Sequence, residues 1–469
     1  MNPTAGTLTV NDPQTWRVLP STSTPLNPDR VAKLLAAEWE RFSASTPGSA
    51  AHNVQASKSL PLGVTSSFQH WDPYPISIVS AYGAYVTDVD GQKLLDLSMG
   101  FGAMLVGHLN PVVVAAVEES LRSGTLFVTP SPSATSVAEL FQKRFGLGKI
   151  RFTNSGTESL MYAIRTARAY TGRSAIIKLE GGYHGGYDPL QVSVKPAVAD
   201  AGPENAPTPV VPSEVVAGDV HVVPYNDIDR LEEVLQANKG QIAAVVMEPV
   251  MENVGIVLPD AGYLAAVRAA CDAHGVLLVF DEVKTGLTAG YAGASQRLNV
   301  KPDLVTLAKS IGGGLPLAAF GGTDEVMAAV IDGRMPHFGT YNGNPLVMAA
   351  ARAVDELCTH DALDAAEARN VHALQKLDAV INEYELPAHT VGFGVKGAVT
   401  WSPTPVRTYR DYKRTDFGAA ELSWLWGLNR GVLTPPGLDE QWLVSLMHTD
   451  ADMDLLVDHF REMAAAIRG

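Results

Sequence analysis

The sequence predicts an α/β fold: a mostly parallel sheet covered by helices on both faces. Three observations carry that expectation. From Pro111 to about residue 355, short uncharged runs alternate with longer segments of helical period. Runs such as Val276–Phe280 are apolar at every position, as strands buried on both faces are. Successive runs also end in polar or glycine-rich turns, and open parallel sheets bind their ligands outside such carboxyl ends.

Composition narrows the partners. A formal net charge of −15 argues against nucleic acid, which calls for clustered Lys and Arg. Two cysteines, Cys271 and Cys358, are too few for a disulfide framework and fit no metal-ligand spacing, so no metal is expected. The N-terminus lacks a basic-then-apolar signal pattern, and no apolar run approaches the roughly 20 residues of a membrane span. A soluble, cytoplasmic protein acting on small molecules is expected.

Residues 1–27, rich in Thr, Ser, Pro and Asn, read as an irregular arm. Asn27-Pro28-Asp29 reads as an N-cap, a first-position proline and a first-turn acid. The helix that follows places Val31, Leu34, Leu35 and Phe42 on one side, a face that must dock on the chain's own core or on a second subunit. Alternation in Ala84–Asp88 and Lys93–Leu97 around Asp90-Gly91 predicts a hairpin. Helices are predicted at Val113–Ser123, Ser136–Phe145, Thr157–Tyr170 and Gly262–His274, and strands at Ile150–Phe152, Ala175–Leu179, Ala243–Met247, Val276–Phe280 and Asp303–Leu307. Residues 195–218 lack a period and suggest a long surface excursion. Beyond about residue 356 helices dominate, at Asp361–Glu383, Ala419–Asn429 and Asp450–Ile467. The expected division is an N-terminal arm and helix over 1–60, the first part of a small domain over 61–110, a large ligand-binding domain over 111–355 and the rest of the small domain over 356–469.

The strand ends carry the chemistry. Asn154-Ser155-Gly156-Thr157-Glu158, between a strand and a helix, offers backbone N–H groups and two hydroxyls to an anion such as a phosphate. Glu180-Gly-Gly-Tyr183-His184-Gly-Gly186 lets the backbone approach a ligand and presents Tyr183 as a flat ring. Glu248-Pro249 ends another strand, with Asn253 close behind. The next two strands end in Asp281-Glu282-Val283 and in Ala308-Lys309-Ser310 before three glycines. Lysine forms Schiff bases with carbonyl cofactors, and pyridoxal 5'-phosphate needs that lysine together with an acid for its pyridinium nitrogen.

As a set, Arg151–Glu158, Arg165–Arg173, Gly182–Gly185, Glu248–Val250, Phe280–Val283, Thr306–Gly314, Gly339-Thr340 and Gly343–Pro345 resemble, in order and spacing, a class III aminotransferase of pyridoxal-phosphate fold type I, in the branch of glutamate-1-semialdehyde aminomutase. The resemblance covers roughly residues 60 to 460. It implies a seven-stranded, mostly parallel sheet with a small α+β domain built from both chain ends. It also implies Lys309 as the Schiff-base lysine and proton shuttle, and Asp281 on the pyridine nitrogen. Tyr183 and Val283 would lie on the two ring faces, with His184 beside them. Ser155, Gly156 and Thr157 would hold the phosphate, and Asn253 with Glu248 the region of the ring hydroxyl. Thr340 would reach the phosphate of a neighbouring subunit, making a homodimer with shared active sites.

The pattern breaks at the substrate side. Where the aminomutase carries a carboxylate-binding arginine this chain has Gln69, and where related β-amino-acid aminotransferases carry one it has Ser67; a neutral side chain does not replace a bidentate, charged contact. Phe101 stands at a family tryptophan. The pocket candidates are Gln69, His70, Trp71, Phe101, Met104 and Glu440. Arg407, Arg410, Arg414 and Arg430 are candidates for a replacement anchor, while Lys284 is expected to be structural. The reading is an aminotransferase that moves an amino group from an amino donor to an aldehyde or ketone acceptor by way of pyridoxamine phosphate. The alternative is an aminomutase or racemase on the same fold, and a non-catalytic scaffold is the rival from another class.

Overall fold

The computed structural model describes residues 16–436 and 441–469. Glu440 and most of the N-terminal arm therefore lie outside the described residues.

Seven strands form the central sheet: β1 (Lys149–Thr153), β2 (Ala175–Leu179), β3 (Val220–Val223), β4 (Ile242–Met247), β5 (Leu277–Asp281), β6 (Leu304–Leu307) and β7 (Ala318–Gly322). Their spatial order is β1-β7-β6-β5-β4-β2-β3. All neighbours pair in parallel except β7, which is antiparallel to both β6 and β1. The expected mostly parallel sheet is what forms. Burial explains its unbroken apolar runs: β2, β4, β5 and β6 are buried at every residue. Val279 and Phe280 are fully buried, each stabilising the fold by roughly 1.5–3 kcal/mol.

Helix Gly156–Thr171 crosses from β1 to β2 and buries Leu160, Ala163, Ile164 and Ala167 against the sheet. On the other face, Tyr263–His274 buries Val267, Ala270 and Cys271. Residues 195–218 contain no helix or strand, as expected. They are not loose, because the Arg410 guanidinium, itself paired with Glu180, donates to the carbonyls of Ala201 and Gly202.

Two small four-stranded sheets combine distant parts of the chain. Trp16–Val18 pairs with His389–Phe393, which continues to Lys396–Thr400 and Trp442–Leu443. The predicted hairpin is Tyr85–Asp88 and Lys93–Asp96, with Gly91 at φ +83° in its turn and Ile78–Tyr82 alongside. Val432–Leu433 joins it in parallel beside Lys93–Asp96. Helix Pro28–Ser45 begins as read, the Asn27 carboxamide accepting from the Asp29 and Arg30 N–H groups, and docks Val31 and Phe42 on the chain's own core.

Candidate active site

Five strand ends open on one cleft of about 870 Å³. It is lined by Ser155, Gly156 and Thr157 after β1, Tyr183 and His184 after β2, Glu248 and Asn253 after β4, Asp281 and Val283 at β5, and Lys309 after β6. These are ten of the positions singled out in the sequence. The eleventh, Thr340, is exposed and lies outside the lining of its own protomer's cleft.

Asp281 is the last residue of β5 and is only 4% exposed. Its carboxylate accepts three hydrogen bonds: from the Val283 N–H at 3.0 Å, the Thr306 hydroxyl at 3.3 Å and His184 Nδ1 at 2.8 Å. A carboxylate fixed this way presents its charge in one orientation. Glu248, just past the end of the neighbouring β4, is buried as well. Burial first, then the Asp281 charge, push its pKa up to about 8, so it is protonated at neutral pH. Its Oε2 accepts the Glu252 N–H at 3.0 Å, and Oε1 meets no hydrogen-bond partner among the described residues.

Gly156 begins a helix whose first N–H groups have no intrahelical acceptor. A β-carbon there would come within 3.1 Å of Val283, so glycine lets the anion-binding turn lie directly against that wall. Gly185, at φ +85°, is equally constrained, since a β-carbon would meet the Thr157 hydroxyl at 2.5 Å. The Ser155 hydroxyl oxygen accepts from the Glu158 N–H, and the Thr157 oxygen from the Gly186 N–H. Each hydroxyl keeps its proton to donate. Tyr183 is 43% exposed, a ring standing in the cleft, with its carbonyl held by the Asn253 carboxamide at 3.2 Å. Burial and the Asp281 charge raise its phenol pKa. Lys309 has φ +49°, the left-handed region that a non-glycine residue occupies at a cost and that clusters at functional sites.

A chain with this arrangement matches the family model of class-III aminotransferases over residues 67–415. The chain belongs to the class-III aminotransferases. It is 37% identical over 420 residues to a glutamate-1-semialdehyde 2,1-aminomutase of Methanocella arvoryzae, covering 88% of this chain and 97% of that one. Among solved structures it is similar to an omega-transaminase from Sphaerobacter thermophilus, at 31% identity with a TM-score of 0.85, over 90% of this chain and 98% of the other. It is likewise similar to a glutamate-1-semialdehyde-aminomutase from Pseudomonas aeruginosa in complex with PMP, at 29% identity with a TM-score of 0.87, over 95% and 100%. As a class-III aminotransferase it is a pyridoxal-phosphate enzyme of fold type I. The residues present fit that cofactor: the unpartnered, buried Glu248 Oε1, the fixed Asp281 carboxylate and the open helix N-terminus are complementary to a ring bearing a hydroxyl, a protonated nitrogen and a phosphate.

The substrate side differs from expectation. Phe101 lines the cleft, set there by a left-handed turn in which Met99, Gly100, Phe101 and Gly102 all have positive φ. Gln69, His70, Trp71 and Met104 are not among the lining residues. The Gln69 carboxamide oxygen accepts from Thr65 and Ser66, closing a capping box on its own short turn. His70 lies 3.8 Å from Asp72. Trp71 packs into an aromatic cluster, 4.8 Å from Trp424 and 5.2 Å from Phe42. Met104 fills the space beside Gly314, against the core of Leu105 and Val113.

The four arginines are engaged elsewhere, Arg407 with Asp260, Arg410 with Glu180, Arg414 with Glu204 and Arg430 with Glu38. Lys284 lines the cleft but is buried and donates to the Glu252 carbonyl at 2.6 Å, as a structural lysine would. Ser66, Phe68 and Lys195 also line the cleft and were not among the pocket candidates read from the sequence.

Proposed function

We propose that this class-III aminotransferase transfers an amino group between two small molecules, an amino donor and an aldehyde or ketone acceptor. The observation that carries this reading is the substrate wall. The Gln69 side chain is spent on its own turn, and no arginine is among the described residues that line the cleft, so the bidentate carboxylate partner expected of the aminomutase is lacking. A second reading, glutamate-1-semialdehyde 2,1-aminomutase, is favoured by the names of the most similar relatives, and these comparisons support it better than they support a transaminase.

Bound pyridoxal phosphate supplies a carbonyl for amines and a ring that withdraws electrons. In this reading Lys309 Nζ would hold the cofactor at its carbonyl carbon and would carry a proton to or from the substrate carbon. Asp281 holds a proton on the ring nitrogen, and His184, hydrogen-bonded to Asp281, fixes its orientation. Tyr183 and Val283 confine the ring, and Ser155, Gly156 and Thr157 bind the phosphate. The partner subunit's Thr340 completes that phosphate site in a homodimer. The exposure of Phe338 (79%), Tyr341 (60%) and Val128 (76%) supports an apolar interface there. Residues 61–110 and 356–469 act as one small domain beside the large one, supported by the sheet in which Val432–Leu433 pairs with Lys93–Asp96. A cytoplasmic setting suits Cys271 and Cys358, two free thiols that burial pushes up to about 12.

The test is acceptor dependence. Given glutamate-1-semialdehyde and no second substrate, a transaminase stops after one equivalent per site, whereas an aminomutase converts the whole supply. Complete isomerisation without acceptor would exclude the transaminase reading.

A further inference from the structure

We propose that Lys396 is a positioning residue for cofactor binding: from a small sheet it anchors Glu252, and Glu252 sets the place of Glu248 and Asn253 in the cleft. This rests on the assignment of those two residues to the ring hydroxyl of pyridoxal phosphate. Lys396 opens the strand Lys396–Thr400, directly after the hairpin tip Gly394-Val395. That tip is seated against the loop after β5. Gly394 has φ +59°, a β-carbon there would strike the Thr288 carbonyl oxygen, and the Val395 N–H donates to the same oxygen at 3.0 Å. The Asn370 carboxamide donates to the carbonyls of Gly394 and Lys396. The tip therefore has one place to sit, and the lysine that follows it is turned inward, 1% exposed.

From there one ammonium ties together two loops of the central sheet. Lys396 Nζ donates to the Glu252 carboxylate at 2.5 Å and to the Lys284 carbonyl at 2.7 Å. Lys284 Nζ in turn donates to the Glu252 carbonyl at 2.6 Å. The loops after β4 and β5 are thus closed on each other through both lysines. Glu252 carries the constraint to the cofactor side in two ways. Its N–H donates to the Glu248 carboxyl at 3.0 Å, and the carboxamide of the next residue, Asn253, donates to the Tyr183 carbonyl at 3.2 Å. A further contact reaches the substrate wall. A β-carbon on Gly102 would lie 3.4 Å from Lys396 Cε, so the left-handed turn that carries Phe101 packs on the lysine.

Stability alone does not account for this pair. Glu252 and Lys396 are 0% and 1% exposed, and taking both charges out of water offsets most or all of their attraction, so uncharged replacements of a buried pair are often as stable. What the pair supplies is direction. Charge-assisted hydrogen bonds hold donor and acceptor in one geometry, and here that geometry fixes the loop bearing Glu248 and Asn253.

The experiment compares wild type, Glu252→Gln, Lys396→Met/Glu252→Gln and Glu248→Ala. Arg430→Met is the control, since it breaks a buried ion pair with Glu38 and neither residue lines the cleft. The double variant is used because Lys396→Met alone leaves the Glu252 carboxylate buried without that ammonium. Three quantities are read: the melting temperature of the cofactor-free protein, the affinity for pyridoxal phosphate by equilibrium dialysis, and the visible absorption maximum of the loaded protein. Glu252→Gln, which keeps an acceptor oxygen for Lys396, should retain most of the affinity. The double variant should melt near wild type yet bind the cofactor about tenfold more weakly, with its absorption maximum displaced. Arg430→Met should melt lower and keep both affinity and spectrum. The proposal is overturned if the double variant binds the cofactor with wild-type affinity and spectrum, or if Arg430→Met loses affinity to the same extent. Glu248→Ala with wild-type affinity would overturn the ring-hydroxyl assignment and the proposal with it, whereas an effect of Glu248→Ala with none from the double variant overturns the proposal alone. Cofactor affinity is the same question for a transaminase and an aminomutase, so the choice between them is tested separately.

Discussion

Replacing Glu248 by glutamine tests whether a protonated carboxyl group is built into the floor of the cleft. Burial and the neighbouring Asp281 raise its pKa from the ordinary 4.5 to about 8, whereas in the unfolded chain it returns to the ordinary value. Between those pH values the folded protein holds a proton that the unfolded chain has released. Stability from this group is therefore fully present below about pH 4.5 and is lost as pH rises through about 8. At about 1.4 kcal/mol per pH unit, the interval corresponds to a ceiling of about 5 kcal/mol. Glutamine keeps the oxygen that accepts from Glu252 and places an NH2 where the protonated oxygen sits, but it cannot ionise. Thermal melts of the cofactor-free protein from pH 5 to 9 should give similar midpoints for variant and wild type at pH 5. At pH 8.5 to 9 the variant should melt higher, by roughly 5 °C. A gap between the two proteins that stays constant across the range would refute the assignment.

Two further predictions concern the frame and the chemistry. Arg410→Met leaves Glu180 buried without its cation, which should cost about 3–5 kcal/mol and open residues 196–204 to limited proteolysis. Adding Glu180→Gln should recover part of the loss, and an unchanged digestion pattern would show that the ion pair does not hold the excursion. Lys309→Ala should lower the rate of amino transfer by roughly a thousandfold or more and remove the visible absorption that an amino donor bleaches in the loaded enzyme. Transfer persisting near the wild-type rate would remove Lys309 from the mechanism.

Much of the cleft lining was legible in the sequence because each group follows a strand end, and a strand buried on both faces announces itself by an unbroken apolar run. Asp281 and Lys309 were found that way. β7 was missed, since Ala318-Ala-Phe-Gly-Gly322 has little strand propensity of its own and is held in place by partners on both sides. β3 was missed because His221 interrupts its short apolar run, which follows directly on the aperiodic residues 195–218. The substrate side was harder for a different reason. Trp71 and Phe101 are both aromatic and lie in neighbouring stretches of the sequence. Only tertiary packing separates the one that joins Trp424 from the one that a left-handed turn swings into the cleft. Lys195 lies in a stretch with no period at all, where spatial position comes from bonds to residues far along the chain.

The parallel pairing of Val432–Leu433 with Lys93–Asp96 has a consequence during synthesis. The hairpin leaves the ribosome long before the strand that completes its sheet, Val432–Leu433. Until then Lys93–Asp96 is an edge with unpaired backbone groups, exposed while the central sheet assembles beside it. The nascent chain carries an adhesive margin through the whole synthesis of the central sheet, and the step that seals it is the arrival of Val432–Leu433.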